Sequence, residues 1–199
     1  MQQDQLQENL PKKTFYTKFW PYLENILYII FAVLLALLIQ NYVVRPFIVN
    51  GNSMDPIIKN SQYLIVDEIS YRIDKPDRGD VVVFKAPPEP SKYYVKRIIG
   101  LPGETIEIKG QDITIYNAEK PKGFTLNEKF IVHQEDNEYQ KIQIPENQYF
   151  VMGDNRSGSY DSRFWGNLPE KNIKGRALLR LFPFNELSYL PGKINYENK

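Results

Sequence analysis

Cysteine is absent from the 199 residues, and histidine occurs once, at position 133. The first absence removes disulfide frameworks, thiolate nucleophiles and cysteine metal sites. The second makes a structural zinc site or an H-E-x-x-H metalloprotease untenable, because one imidazole cannot supply the ligand set either needs. Charge of one sign is lacking too: 25 basic and 24 acidic side chains leave a formal charge of +1. With no long basic patch, nothing gathers nucleic acid. No internal repeat and no low-complexity linker is visible, and the length suits one ordinary domain or two small ones.

A long apolar run, in contrast, is present near the N-terminus. After a polar leader carrying Lys12, Lys13 and Lys18, the stretch from Ile26 to Ile39 contains no charge. Extended to residues 22–44, it is long enough to cross about 30 Å of hydrocarbon at about 1.5 Å per residue. Its Leu, Ile, Phe and Val side chains together favour insertion by roughly 5 kcal/mol. A buried core helix is the alternative, but a helix apolar on every face is unusual in so small a domain. A cleavable signal peptide is disfavoured because no small-x-small site follows the run. The expectation is an uncleaved anchor with a cytoplasmic N-terminus, since three lysines precede it and only Arg45 closely follows.

Beyond Arg45 the pattern becomes strand-like. Runs rich in β-branched and aromatic residues recur at 47–49, 63–66, 81–84, 93–99, 105–108, 113–116, 142–144, 149–152 and 177–182. Turn signals such as Pro76-Asp77-Arg78-Gly79, Pro102-Gly103 and Lys109-Gly110 separate them. The pattern predicts a mainly β body of barrel or sandwich type rather than βαβ units. From about 106 to 145 the chain is more polar and holds Glu135, Asp136 and Glu138 around His133, which reads as a small inserted β subdomain. The organisation expected is therefore a leader (1–21), an anchor (22–44), a catalytic β domain (45–105 and 146–199) and the insertion (106–145).

Ser53 stands in Ile48-Val49-Asn50-Gly51-Asn52-Ser53-Met54-Asp55-Pro56, where an apolar extended run meets a turn. A serine hydroxyl attacks only when a base takes its proton. The lone histidine lies in the acidic insertion and reads as a surface residue, so the base would be a lysine or a carboxylate. A lysine needs apolar surroundings to be neutral near pH 7 to 8, about three units below its usual value. Lys96 is such a lysine, within Tyr93-Tyr94-Val95-Lys96-Arg97-Ile98-Ile99-Gly100. Strand alternation places Lys96 and Arg97 on opposite faces, so with one face wet Arg97 would reach solvent or a carboxylate while Lys96 points inward. On spacing alone, two solvated charges on an edge strand explain the pair equally well. A third cluster, Gly153 to Gly166, mixes glycines, serines and two Asp/Arg pairs; alternating arginines disfavour a metal loop and favour one shaped by charge-assisted hydrogen bonds.

Ser53-Met54-Asp55-Pro56, Lys96 through Gly103, and Gly153-Asp154-Asn155-Arg156 through Asp161-Ser162-Arg163-Phe164-Trp165-Gly166 together resemble the signature boxes of the bacterial type I signal peptidases. They stand in that family's order, after an anchor, over residues 20 to 185. The resemblance implies a signal-peptidase-like antiparallel β catalytic body and a Ser/Lys-dyad endopeptidase that removes signal peptides from exported preproteins after small residues, as in Ala-X-Ala. It implies Ser53 as nucleophile, Lys96 as general base, and Ser159 as the hydroxyl that orients the lysine. It further implies Asp161 and Arg163 as a bracing ion pair, with Asp154 and Arg156 as loop scaffold. Phe47, Val49, Met54, Ile58, Tyr94 and Val95 are implied as pocket walls, with core packing an equal alternative for each. Gly51 replaces the serine that donates to the oxyanion in some members, leaving more of that role to the Ser53 N–H. Preproteins and the lipid bilayer are the partners implied, with no metal, no nucleic acid and no cofactor. The host would be the plasma membrane, or a thylakoid membrane, with the catalytic domain on the extracytoplasmic side. Phe164, Trp165, Phe182, Phe184 and Tyr189 are candidates for contact with the membrane interface, with core packing an equal alternative.

Overall fold

The structure, a computed structural model, describes residues 14–42, 44–128, 131 and 139–196. Lys12, Lys13, His133, Glu135, Asp136 and Glu138 lie outside the described residues. The chain divides into two compact units, Met1–Asn41 and Tyr42–Lys199.

Helix α1, Thr14–Tyr42, dominates the first unit. It begins upstream of the expected anchor and ends just before the first strand. Every described side chain from Trp20 to Leu37 is exposed, including Leu23, Ile29, Phe31 and Leu34. The buried-core-helix alternative is therefore not what the structure shows. Apolar surface on every face of a helix is costly in water and free of cost in hydrocarbon, and the Trp20–Leu37 stretch is long and apolar enough to cross a membrane.

The second unit is antiparallel β. Its strands are β1 Val44–Ile48, β2 Tyr63–Asp67, β3 Val81–Ala86, β4 Glu89–Gly100, β5 Thr105–Lys109, β6 Asp112–Tyr116, β7 Phe124–Thr125, β8 Tyr139–Gln143, β9 Gln148–Met152, β10 Leu168–Pro169, β11 Ile173–Phe182 and β12 Ser188–Tyr189. Two single-turn helices interrupt them, α2 Ser70–Ile73 and α3 Ser162–Trp165. Seven strands pair in the order β1-β2-β11-β3-β4-β9-β10, with β12 added on β11, and a four-stranded sheet runs β7-β6-β5-β8. Each strand expected from the sequence overlaps an observed one.

Burial follows from position in the larger sheet. β3 up to Phe84 and the end of β4 from Lys96 to Gly100 are buried inside it, whereas Pro90 to Tyr93 are exposed. Val81 packs with Val49, Met54, Ile58, Leu64 and Ala177, whereas Val82 and Phe84 pack with Ile98, Tyr149, Val151 and Leu168. Ile99 turns to a third cluster, where Phe150 and Met152 meet Ile106, Ile108, Ile113 and Ile115 of the smaller sheet. Each fully buried side chain of this kind stabilises the fold by about 1.5–3 kcal/mol. The consequence for chemistry is direct: a charged residue at position 96 or 97 of β4 has no wet face to choose.

Candidate active site

The nucleophile candidate is presented by a turn pinned at both ends. After β1 the chain stays bonded to the start of β2, with Val49 N–H donating to Gln62 O at 2.9 Å and Ser61 N–H to Val49 O at 2.8 Å. Gly51 N–H donates to Asn60 Oδ1 at 2.9 Å. Gly51 has φ +111°, a left-handed conformation that a residue with Cβ adopts only under strain. One helical turn follows, closed by Ile58 N–H on Met54 O at 2.9 Å. Met54 and Ile58 are four residues apart and so share a face, both buried, which nails the turn to the core and leaves Ser53 half-buried at the surface.

Lys96 reaches that serine from β4. Its side chain is 3 % exposed, and its Nζ donates to Ser53 Oγ at 2.5 Å. In register it faces Val82 of β3, and the Tyr94 ring lies 5.5 Å from Nζ. Burial is the main cause that brings the ammonium pKa down to about 8; Asp161 and Asp154 oppose the shift and the neighbouring Arg163 adds to it. An amine in that range is a usable base near neutral pH.

Arg97 departs from the sequence expectation of one buried and one wet face. It is fully buried and forms a bidentate pair with Asp154, Nε to Oδ1 at 2.7 Å and Nη2 to Oδ2 at 2.6 Å. It also donates to Gly79 O at 2.9 Å and to Gly192 O. The physical reason is that this part of β4 is buried on both sides: the Lys96 amine answers burial with a lowered pKa, whereas a guanidinium cannot shed its proton and needs a carboxylate.

The loop after β9 completes the arrangement. Asp161 Oδ2 accepts from Gly153 N–H at 2.9 Å and from Ser159 Oγ at 2.6 Å, and Arg163 Nε donates to Asp161 Oδ1 at 2.9 Å. Arg163 Nη2 also holds Arg156 O at 2.7 Å. Asp154 and Arg156 pair outside the loop instead of within it: Asp154 with Arg97, and Arg156 Nη2 with Glu128 Oε1 at 2.6 Å. Ser159 is buried, and its proton is committed to Asp161, which leaves its oxygen lone pairs to face other donors. Among the described residues, the single hydrogen bond of Lys96 Nζ is the one to Ser53.

The expected wall residues divide by burial. Val49, Met54 and Ile58 belong to a core cluster, whereas Phe47, Tyr94 and Val95 are half-buried, with the Phe47 ring 5.3 Å from that of Tyr93. Trp165 packs against Phe84 at 6.0 Å, on the core side; Phe164, Phe182, Phe184 and Tyr189 are exposed. Sequence reasoning passed over Gly153 and Asn155. A Cβ at Gly153 would overlap both Ser159 Oγ and the Ser53 carbonyl oxygen, and Asn155 N–H donates to that same oxygen at 3.1 Å. Their position in the third motif was the one available signal.

A serine held against a buried lysine on an antiparallel β body is the geometry the structure shows, and comparison with known proteins gives the class, a serine endopeptidase. The family described as signal peptidase, peptidase S26, matches residues 22–182. Signal peptidase I of Leptolyngbya laminosa is 37% identical over 183 residues, covering 88% of this chain and 87% of that protein. Signal peptidase I S of Bacillus subtilis strain 168 is 38% identical over 165 residues, covering 80% and 88%. A crystal structure of a signal peptidase I from Enterococcus faecalis V583 aligns with TM-score 0.45 and 31% identity, over 52% of this chain and 97% of that one. The chain belongs to the S26 signal peptidase family: it is a serine endopeptidase that removes signal peptides.

Proposed function

We propose that Ser53 and Lys96 form the catalytic dyad, and that the enzyme cleaves preproteins after small residues of the Ala-X-Ala type. The observation that carries this reading is the 2.5 Å hydrogen bond between Lys96 Nζ and Ser53 Oγ, made by a lysine that burial brings to a pKa of about 8. When Lys96 is neutral, the same bond runs from Ser53 O–H to Nζ. Ser53 Oγ attacks the scissile carbonyl as its proton passes to Nζ; the ammonium then protonates the leaving amine, and water hydrolyses the acyl-enzyme with Lys96 again as base. In this scheme the Asp161–Arg163 pair holds Ser159, whose oxygen would accept from the Lys96 ammonium once Nζ turns from Ser53; in the structure Nζ bonds to Ser53. Asp154 and Arg156 act as scaffold through Arg97 and Glu128. Phe47, Tyr94 and Val95 line the shallow pockets for small side chains, with Val49, Met54 and Ile58 forming their floor.

The same proposal gives residues 22–44 as a membrane anchor, with the leader in the cytoplasm and the catalytic domain (45–105 and 146–199, with 106–145 inserted) outside the plasma or thylakoid membrane. Support comes from the exposed apolar stretch Trp20–Leu37 and from the three lysines that precede it in sequence. Tyr63, Leu181, Phe182 and Phe184 line an open apolar groove of about 490 Å³, a surface suited to the lipid interface. The test is cleavage of an Ala-X-Ala preprotein by the full-length enzyme: Ser53→Ala and Lys96→Ala should each lose about a thousandfold or more in kcat while remaining folded. Full activity in Lys96→Ala would remove the dyad.

A further inference from the structure

Both peptide groups that flank Ser53 are held by one residue that the dyad itself does not use. Asn155 Nδ2 donates to the carbonyl oxygen of Asn52 at 3.1 Å, and Asn155 N–H donates to the carbonyl oxygen of Ser53 at 3.1 Å. The orientation of the side-chain amide is fixed by partners that have no choice of role. A carbonyl can only accept, and the Gly158 N–H that reaches Asn155 Oδ1 at 3.1 Å can only donate. Ser157 Oγ lies 3.4 Å from the same Oδ1. A Cβ at Gly158 would come within 2.6 Å of Asn155 Nδ2, so the loop leaves the amide no spare room.

The bond to Asn52 matters because of what lies at the other end of that peptide. The Asn52 carbonyl and the Ser53 N–H belong to one planar unit; it is trans, so the two groups point in opposite directions. Among the described residues, Ser53 N–H has no protein acceptor, whereas Gly51 N–H is already given to Asn60 Oδ1. Ser53 N–H is thus the donor left for the oxyanion. We propose that Asn155 is a positioning residue for that donor: through the Asn52 carbonyl it sets the plane of the 52–53 peptide and polarises its N–H toward the charge that develops in the transition state. Asp55 N–H shares the Asn52 oxygen at 3.1 Å. Removing the amide therefore costs aim and polarisation without releasing the turn. The role presupposes Ser53 as the nucleophile.

The experiment measures kcat and KM on a preprotein substrate over about pH 6 to 10, with affinity for a peptide boronate whose tetrahedral adduct places an oxygen where the oxyanion forms. Full-length wild type is compared with Asn155→Ala, Asn155→Asp and Gly158→Ala. Asn155→Ala should lower kcat about tenfold to a hundredfold, less than the loss of a direct oxyanion donor, with KM and the acid limb unmoved. Boronate affinity should fall in step with kcat/KM. Gly158→Ala, which displaces the amide while keeping it, should show the same pattern. Asn155→Asp has the shape of asparagine but sets an acceptor against the Asn52 oxygen, so it should fall below Asn155→Ala; a packing role would make it the better of the two. Unchanged kcat in Asn155→Ala, a kcat loss without loss of boronate affinity, or an Asp variant as active as wild type would each overturn the assignment. Ser53→Ala and Lys96→Ala run alongside separate the two questions: wild-type activity there removes the dyad, whereas inactive dyad variants beside fully active Asn155 variants remove only this role.

Discussion

With Lys96 as the proposed base, stability and activity pull in opposite directions at this residue. Its folded pKa, about 8, is below the ordinary lysine value of 10.5. The unfolded chain therefore binds the proton more tightly, and below pH 8 burying the charged amine costs about 3 kcal/mol. That cost shrinks as pH rises from about 8 to 10.5, so stability should increase across this window. Lys96→Met, similar in length and apolar, should accordingly raise the unfolding free energy at pH 7 by about 2–3 kcal/mol in denaturant titrations while abolishing cleavage; a destabilised Met variant would contradict the desolvation account. Gly153 gives a second test at this scale. A methyl group there would overlap Ser159 Oγ and the Ser53 carbonyl, so Gly153→Ala should cut kcat at least tenfold, while circular dichroism shows the β body intact. Wild-type kcat in that variant would mean the serine turn and the loop after β9 yield without affecting the chemistry.

At the scale of elements, strands β4 and β9 and the loop that follows are joined through buried charge. Arg97 and Asp154 are both fully buried, which makes a one-sided loss severe. Arg97→Met should destabilise the fold by about 3–5 kcal/mol, and adding Asp154→Leu should recover most of it, because an apolar pair of similar volume leaves no orphan charge. Thermal and denaturant melts read both, and a double variant no better than the single would refute the point. This pair also marks where the sequence stopped being legible. Runs such as Val81-Val82-Val83-Phe84 announce strands by composition, and the third motif announces a charged loop. Whether one or both faces of β4 are covered depends on segments distant in sequence, such as the serine turn packed near Val95 and the smaller sheet packed against Ile99, which alternation within β4 cannot report. For that reason spacing alone leaves an inward Lys96 and two solvated charges equally open, puts Arg97 toward solvent or a carboxylate, and suggests a partner for Arg156 inside its loop, whereas Lys96 and Arg97 are both buried and Arg156 pairs with Glu128 of another segment. Two-residue strands such as β7, β10 and β12 carry too few side chains to show any period.

For the whole molecule, two units with opposite solvent preferences share one chain. The exposed apolar helix asks for hydrocarbon and the β body for water, and the β body carries an exposed aromatic patch at Tyr63, Phe182 and Phe184. A charge at the middle of the helix, Leu34→Arg, should weaken insertion by about 3 kcal/mol and shift the protein toward the alkali-extractable fraction; unchanged fractionation would argue that the helix is not the anchor. Assembling a catalytic base without a useful histidine is the central claim made for this enzyme, and the pH dependence of kcat/KM tests it most directly. A buried lysine must lose its proton to act, so kcat/KM should rise through an acid limb near pH 8, and His133→Gln should leave that limb in place. A limb near about pH 6.5 that disappears in His133→Gln would contradict the lysine assignment and return the base to the one histidine in the chain.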